Sequence, residues 1–424
     1  MKKFSPSKNL RKEDEIMFFL KIAWRNIWRN KRRTIITITA IAFATTITVI
    51  MRGIQLGTYD YLIRTIAGNY SGYIQIQSKG YSEDPSLRKT FIYSDEIKKI
   101  IKSTPDIIAY APRLYADVMI SSGENSYGGI IYGIDPEIEL NFSNFHKKIK
   151  HGRFLRKDSS YEVLLGDKLF ENLKIKLGDE IIILSQGFDG ALWDMKFKVV
   201  GVIKLGYTEL DNAVIFMNLK DAQEFLSAEN RVSIIAILIS ELEKIEKIKR
   251  KLSEELNSKS LVALSWEDVM VELKQSIEFD NASGVLFLAF LIIIVAFGIL
   301  NTISMSVVER FNEFGISLAI GFKNQKLVLI VLLEILFIVL IGILLGSLLG
   351  GIFNYYLIKN PIVLTGDFAS VYEEFGIEPK FVSSLKPRIF INTGLSILIV
   401  SLISSVIPLY RVYKLEPLKG IRFT

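Results

Sequence analysis

The sequence has no cysteine and only two histidines in 424 residues. The first absence excludes a disulfide framework, a thiol nucleophile and a zinc–thiolate site. It also excludes the cysteine on which a lipid anchor of the bacterial lipoprotein kind is built. His146 and His151 are five residues apart in a basic stretch, a spacing that suits neither a metal pair on one helix face nor a catalytic triad, so both read as solvated surface residues. No phosphate loop GxxxxGK[ST], no HExxH and no GxSxG elbow occurs, and no metal or catalytic site is assigned. The chain itself is therefore not expected to hydrolyse ATP.

Charge is also missing where it matters most. The run from Asn281 to Val308 carries none, and the run from Leu327 to Ile358 carries only Glu334. These are long enough to cross a bilayer with tilt, and Thr34–Met51 and Ile389–Tyr410 are near the roughly 20 residues that span one, which makes four apolar stretches. Spans are placed at 34–57, 284–307, 327–352 and 389–410. Half of all residues are hydrophobic, and the net charge of +7 is concentrated in two flanks, Lys21–Arg33 and Arg411–Lys419. Positive flanks stay in the cytoplasm, so both termini are expected inside. The stretch 308–326 is then a cytoplasmic hairpin, 353–388 an outer loop and 411–424 a cytoplasmic tail. Trp24 and Trp28 among the cations mark 17–33 as an interfacial elbow contacting membrane lipid. This pattern of basic residues is a topology signal, so no nucleic acid is expected as a partner. Residues 1–16 read as a disordered extension, with Met1 and Met17 both open as starts, and no cleavable signal peptide is apparent.

The long insert between the first two spans mixes strand-like and helix-like periods, which points to α+β organisation. Strand patterns at 73–77, 107–113, 115–121, 129–134, 161–165, 180–185, 196–203, 213–217, 233–239 and 261–265 alternate with helical ones at 94–103, 167–173, 219–226, 241–256 and 266–279. Two βαβ-like halves flank a strand-rich middle. The expected division is a membrane-proximal α+β domain at 58–114 plus 231–283, interrupted by a β-rich subdomain at 115–230.

Within the spans, Thr34, Thr37, Ala40, Ala44, Thr45 and Thr48 share one helical face and Ile36, Phe43, Ile47 and Ile50 the opposite one. Small residues let helices approach closely in lipid. Thr37 and Ala44, with Gly342, Gly346 and Gly350 of the third span, are therefore assigned to helix packing. Glu334 joins them as a structural or interface residue for which the spans offer no evident partner. In the hairpin, Glu309 and Glu313 lie four apart while Phe314, Leu318 and Ile320 provide apolar grip, which suits docking onto a protein. Gly315 and Gly321 allow close approach and a turn.

The elbow Ala23-Trp-Arg-Asn-Ile-Trp-Arg-Asn-Lys-Arg-Arg33, the segments Val163-Leu-Leu-Gly-Asp167 and Leu177-Gly-Asp179, Asn301 to Arg310, Glu313 to Gly321, and Pro408 to Pro417 together resemble the FtsX-like/MacB-like permeases of bacterial ATP-binding cassette systems. Length and span placement look most like the lipoprotein-releasing, Lol-type members. The resemblance implies a multi-pass α-helical membrane protein of the bacterial inner membrane. It has four transmembrane helices and a large periplasmic α+β domain inserted between the first and second. It further implies a non-enzymatic permease subunit working with a cytoplasmic ATPase that binds ATP and Mg, a second permease copy or paralogue, a lipoprotein substrate and a periplasmic lipoprotein carrier. Glu309, Arg310, Glu313, Phe314, Gly315, Ala319 and Gly321 would form the ATPase-coupling helix. Phe43, Ile47, Ile50, Ile54, Leu286, Phe287 and Phe290 would line the acyl-chain cavity. A MacB-like efflux or peptide exporter, or a transmembrane activator of a cell-wall hydrolase, is the alternative.

Overall fold

The computed structural model describes residues 12–123, 125–256, 259–366, 369 and 378–417. The expected extension before Lys12, Glu124, residues 257 and 258, and parts of the 353–388 loop and the 411–424 tail lie outside them. The chain divides into two compact units. One comprises residues up to Thr58, Glu278–Ile362 and Phe381 onward; the other comprises Tyr59–Ile277 and Val363–Lys380.

The first unit is helical. The elbow helix Lys12–Ile27 starts ahead of Met17, and the side chains it buries are Phe19, Ala23 and Ile27, spaced by four so that they share one face. Thr34 donates its hydroxyl to the Ile27 carbonyl at 2.7 Å, satisfying an acceptor that the helix end leaves open. Among the described residues, four helices follow that are long and apolar enough to cross a membrane: span 1 (Lys31–Ala67), span 2 (Val271–Glu309), span 3 (Asn324–Lys359) and span 4 (Pro387–Tyr413). At 1.5 Å per residue span 3 is about 54 Å long, which exceeds a hydrocarbon core of about 30 Å. Each helix thus projects beyond the apolar run that the sequence marks.

Spans 1 and 3 meet along a seam of small residues. A Cβ on Gly342 would stand 2.6 Å from Ile41, on Gly346 2.5 Å from the Ala42 carbonyl, and on Gly350 2.8 Å from Val49. Only a missing side chain permits such approach. Thr46 bridges the seam, donating to Ala42 O at 2.8 Å and Gly346 O at 3.2 Å. One turn on, Asn354 donates to Val49 O at 2.9 Å and fills the space left by Gly53. Thr34, Thr37, Ala44, Thr45 and Thr48 are buried as their shared face predicts, but so are Ile38, Ile41 and Val49, while Ala40 is exposed. The buried stripe is wider than a small-residue face because three glycines opposite leave room for isoleucine.

The second unit is α+β. Its strands are β1 (Ile74–Ser78), β2 (Phe91–Ile92), β3 (Ile107–Ser122), β4 (Asn125–Ile134), β5 (Ile149–Gly152), β6 (Glu162–Gly166), β7 (Glu180–Gln186), β8 (Leu192–Ile203), β9 (Val214–Asn218), β10 (Arg231–Val232), β11 (Ile234–Ile239) and β12 (Leu261–Ser265). The order β12-β1-β11-β3, all antiparallel, with helices Asp95–Ser103 and Ile245–Leu256 joining the outer strands to the inner ones, is a split βαβ layout. Those two helices bury Ile97, Ile101, Ile248 and Leu252 against Ile74, Ile76, Ile235 and Ile237.

From β3 a ring closes through β4, β9, β6, β8 and β7 and back to β3, with β5 added at β8 and β2 paired with β10 apart from it. Inside it lie Val118, Ile120, Ile131, Val163, Leu165, Ile181, Ile183, Phe197, Val199 and Ile215, so this small barrel is a packed core and not a pore.

Two expectations change here. The strands expected at 107–113 and 115–121 are one, β3, which runs through the expected domain boundary at 114. Pro112 does not break it because β4 pairs only from Arg113 onward, leaving Pro112 beside β11 alone; a strand tolerates proline where one side is unpaired. The stretch around the histidines is also not a plain solvated turn. His146 lies in a short 3-10 turn, half-buried beside Phe154, whereas His151, on β5, is exposed as expected.

Candidate coupling site

Span 2 ends at Glu309, the connector helix Phe311–Ala319 follows, and Gly321, at φ +100°, turns the chain toward span 3. That φ is open to glycine and strained for other residues. The connector buries Phe314, Gly315 and Leu318 within its own unit, together with Val331, Ile335 and Val412. Phe314 and Leu318 therefore anchor the hairpin from inside and are not free to grip a partner. The exposed apolar residues are Ile316 at 49%, Ile320 at 81% and Phe322 at 36%, with Ala319 exposed beside them.

Glu309, Arg310 and Glu313 of the hairpin are all engaged. Arg29 of the elbow places one guanidinium nitrogen 2.7 Å from both Glu313 oxygens, and Arg33 meets Glu309 at 2.7 Å. Arg310 reaches Glu334 of span 3 at 2.7 and 3.0 Å and approaches Glu313 at 3.5 Å. Asn26 completes the Glu334 carboxylate at 2.6 Å. Three arginines and three glutamates thus balance, and they tie the elbow, the connector and span 3 into one charge network. The Arg310–Glu334 pair is the most enclosed, with side chains 14% and 11% exposed, so its partners matter most.

Glu334, which sequence reasoning left without a partner, has two. Reading 21–33 as a topology signal alone concealed that Arg29 and Arg33 also meet the acids of the hairpin and that Asn26 meets Glu334 of span 3; the matching signal was the pair Glu309 and Glu313. A cavity of about 330 Å³ opens beside this network, lined by its charged groups on one side and by Ile41, Ile299, Ile303 and Val339 on the other. Asn324, at the start of span 3, donates to the carbonyls of Tyr413 and Leu415, both at 2.9 Å, which holds the end of span 4 at the same side.

The residues assigned to a substrate cavity sit differently. Phe43, Leu286, Phe287 and Phe290 are 49 to 66% exposed, and Ile47, Ile50 and Ile54 are half-buried. A small cavity between spans 1, 2 and 4 is lined instead by Ala44, Thr48, Leu291, Ile292 and Ser401. Among the described residues no group of three His, Asp or Glu side chains is set to hold a metal.

Residues 285–417 match the family described as FtsX-like permease C-terminal, and residues 34–255, more than half of the chain, match the MacB-like periplasmic core domain. The chain belongs to this FtsX-like/MacB-like permease family. The permease is 25% identical over 76% of its length to an uncharacterized ABC transporter permease of Methanocaldococcus jannaschii, covering 79% of that protein. It is 25% identical over 51% of its length to the lipoprotein-releasing system transmembrane protein LolC of Xylella fastidiosa, spanning 53% of that protein. Among solved structures it is similar to the periplasmic region of MacB from Actinobacillus actinomycetemcomitans, at 17% identity and a TM-score of 0.37 over 51% of the permease and 97% of that chain. Membership of a family of ABC transporter permease components implies an ATPase partner.

Proposed function

We propose that the permease is the membrane subunit of a Lol-type complex that extracts lipoproteins from the outer leaflet of the inner membrane and hands them to a periplasmic carrier. The observation that carries the coupling half of this reading is the two-sided connector. Its charged edge is bound to the elbow and span 3, while Ile316, Ile320 and Phe322 remain exposed. A separate cytoplasmic ATPase, binding ATP and Mg, would hold that apolar edge, and its closure would move spans 1, 2 and 3 together because the ion network links them. The basic flanks support cytoplasmic termini and an outer position for the α+β unit.

The substrate half rests on the LolC relatives. Inserted acyl chains are held by roughly 0.8 kcal/mol per buried CH₂ and need driven expulsion. The outward bulky face of Phe43, Ile47, Ile50 and Ile54, with Leu286, Phe287 and Phe290, would become a cavity wall only against a second permease copy or paralogue, since one chain leaves it uncovered. Liposomes containing the permease, its ATPase, any second permease and a triacylated lipoprotein test the proposal. With ATP the lipoprotein should leave the bilayer bound to the carrier, and with ADP it should stay. ATP turnover stimulated by a drug or a cell-wall hydrolase, without release, would assign the permease to efflux or to hydrolase activation instead.

A further inference from the structure

Between Met17 and Arg33 the chain has six cations, Lys21, Arg25, Arg29, Lys31, Arg32 and Arg33, and no acidic residue. The structure divides them. Arg29 and Arg33 turn to Glu313 and Glu309. Lys21, Arg25, Lys31 and Arg32 are exposed and take no ion pair among the described residues. Between them stand Trp24 and Trp28, 45% and 41% exposed, with their rings edge to face at 5.9 Å. Trp24 is fixed from behind by Phe337 of span 3, with ring centroids 5.5 Å apart.

We propose that this outer face of the elbow is a binding site for anionic phospholipid, with the headgroup phosphates on Arg25, Arg32, Lys21 and Lys31 and the glycerol and upper acyl region against the two indoles. A guanidinium presents a donor fork that fits a phosphate, and tryptophan settles at headgroup level because its ring is apolar while its N–H is not. A lipid fits better than an acidic protein, because Met17 and Phe18, each 53% exposed, continue the apolar side of the face and want hydrocarbon. A topology signal alone explains how many cations there are. It does not explain why four of them are left unpaired around a braced tryptophan pair while two neighbours are neutralised. The site is independent of which substrate the permease moves.

The test uses the full chain, reconstituted in bilayers of mixed phosphatidylglycerol and phosphatidylcholine and then extracted in mild detergent, with the retained lipid quantified by mass spectrometry. The wild type should retain phosphatidylglycerol severalfold above its bulk proportion, and inorganic phosphate should not displace it. Replacing Lys21, Arg25, Lys31 and Arg32 together by Gln should return the ratio to bulk, Trp24→Leu with Trp28→Leu should weaken retention, and Arg250→Gln with Lys251→Gln should leave it unchanged. A photoactivatable phosphatidylglycerol on the wild type, which needs no variant to fold, should label the peptide 17–33 in preference to a phosphatidylcholine analogue. Wild-type retention at the bulk ratio, equal labelling by the two lipids, undiminished enrichment in the fourfold variant, or an acidic protein recovered on this face in place of lipid would each overturn the proposal.

Discussion

Arg310 and Glu334 meet at 2.7 Å where span 2 gives way to the connector and where span 3 is well under way. The pair closes the hairpin from within: one residue comes from the outgoing strand of chain and the other from the returning one, and Asn26 of the elbow shares the carboxylate.

Removing one partner of an enclosed pair strands the other charge, which costs about 3 kcal/mol or more, whereas removing both costs far less. Glu334→Leu should therefore lower the thermal midpoint of the detergent-solubilised permease more than Arg310→Leu with Glu334→Leu together. Equal or additive losses in such a double-mutant cycle would show that the two side chains do not act as a pair.

The seam between spans 1 and 3 gives a contrast among glycines. Gly346→Val would drive its side chain into the Ala42 carbonyl, already 2.5 Å from a bare Cβ, and the helices must part, at a cost of about 1 to 3 kcal/mol or more. Gly298→Ala meets nothing within 4 Å and should be neutral or slightly favourable, since alanine suits a helix better. The yield of monodisperse protein and its thermal midpoint check both; a well-behaved Gly346→Val would mean the seam is looser than described.

Ile316→Glu and Ile320→Glu should leave the fold intact, because both side chains are exposed, yet abolish co-purification of the ATPase, because charge would enter an apolar contact. Phe314→Ala should do the reverse of a surface change and destabilise the hairpin, by about 3 to 5 kcal/mol for a buried aromatic. ATPase recovery at wild-type levels with both isoleucine variants would move docking elsewhere.

Much of this was legible in advance for one reason: bilayer-length apolar runs are local, and so are the periods that mark Asp95–Ser103 or β12. The strand Leu261–Ser265 has the bounds its pattern predicts. What was not legible is what depends on distant pairing. Nothing near Ile181 or Val118 says that β7 closes a barrel on β3, and the Asp135-Pro136 start of helix Pro136–Phe142 passed unnoticed in a loop-like stretch. The hairpin's grip residues were misplaced for a related reason. Phe314, Leu318 and Ile320 are all apolar, and only the packing of Val331, Ile335 and Val412 decides that the first two point inward.

The last prediction concerns the joint between β12 and span 2. Asp268 accepts hydrogen bonds from the Ser265 amide and hydroxyl, each at 2.8 Å, and pairs with Lys249 at 2.6 Å. Burial pushes its carboxyl up, but the Lys249 and Ser265 bonds outweigh this and hold it below the ordinary aspartate range. A depressed folded value means that the carboxylate's contribution is complete above the unfolded value of about 3.9 and is lost as pH falls through the folded value. Asp268→Asn should therefore lower the thermal midpoint at neutral pH, by an amount in line with the roughly 0.5 to 2 kcal/mol of a lost helix cap. The difference from wild type should begin to shrink as the pH falls below about 4, where the unfolded chain's aspartate takes up its proton, and should be lost once the pH passes below the depressed folded value and the folded carboxylate is protonated too. A constant difference across that range would mean that Asp268 acts through its shape and not its charge.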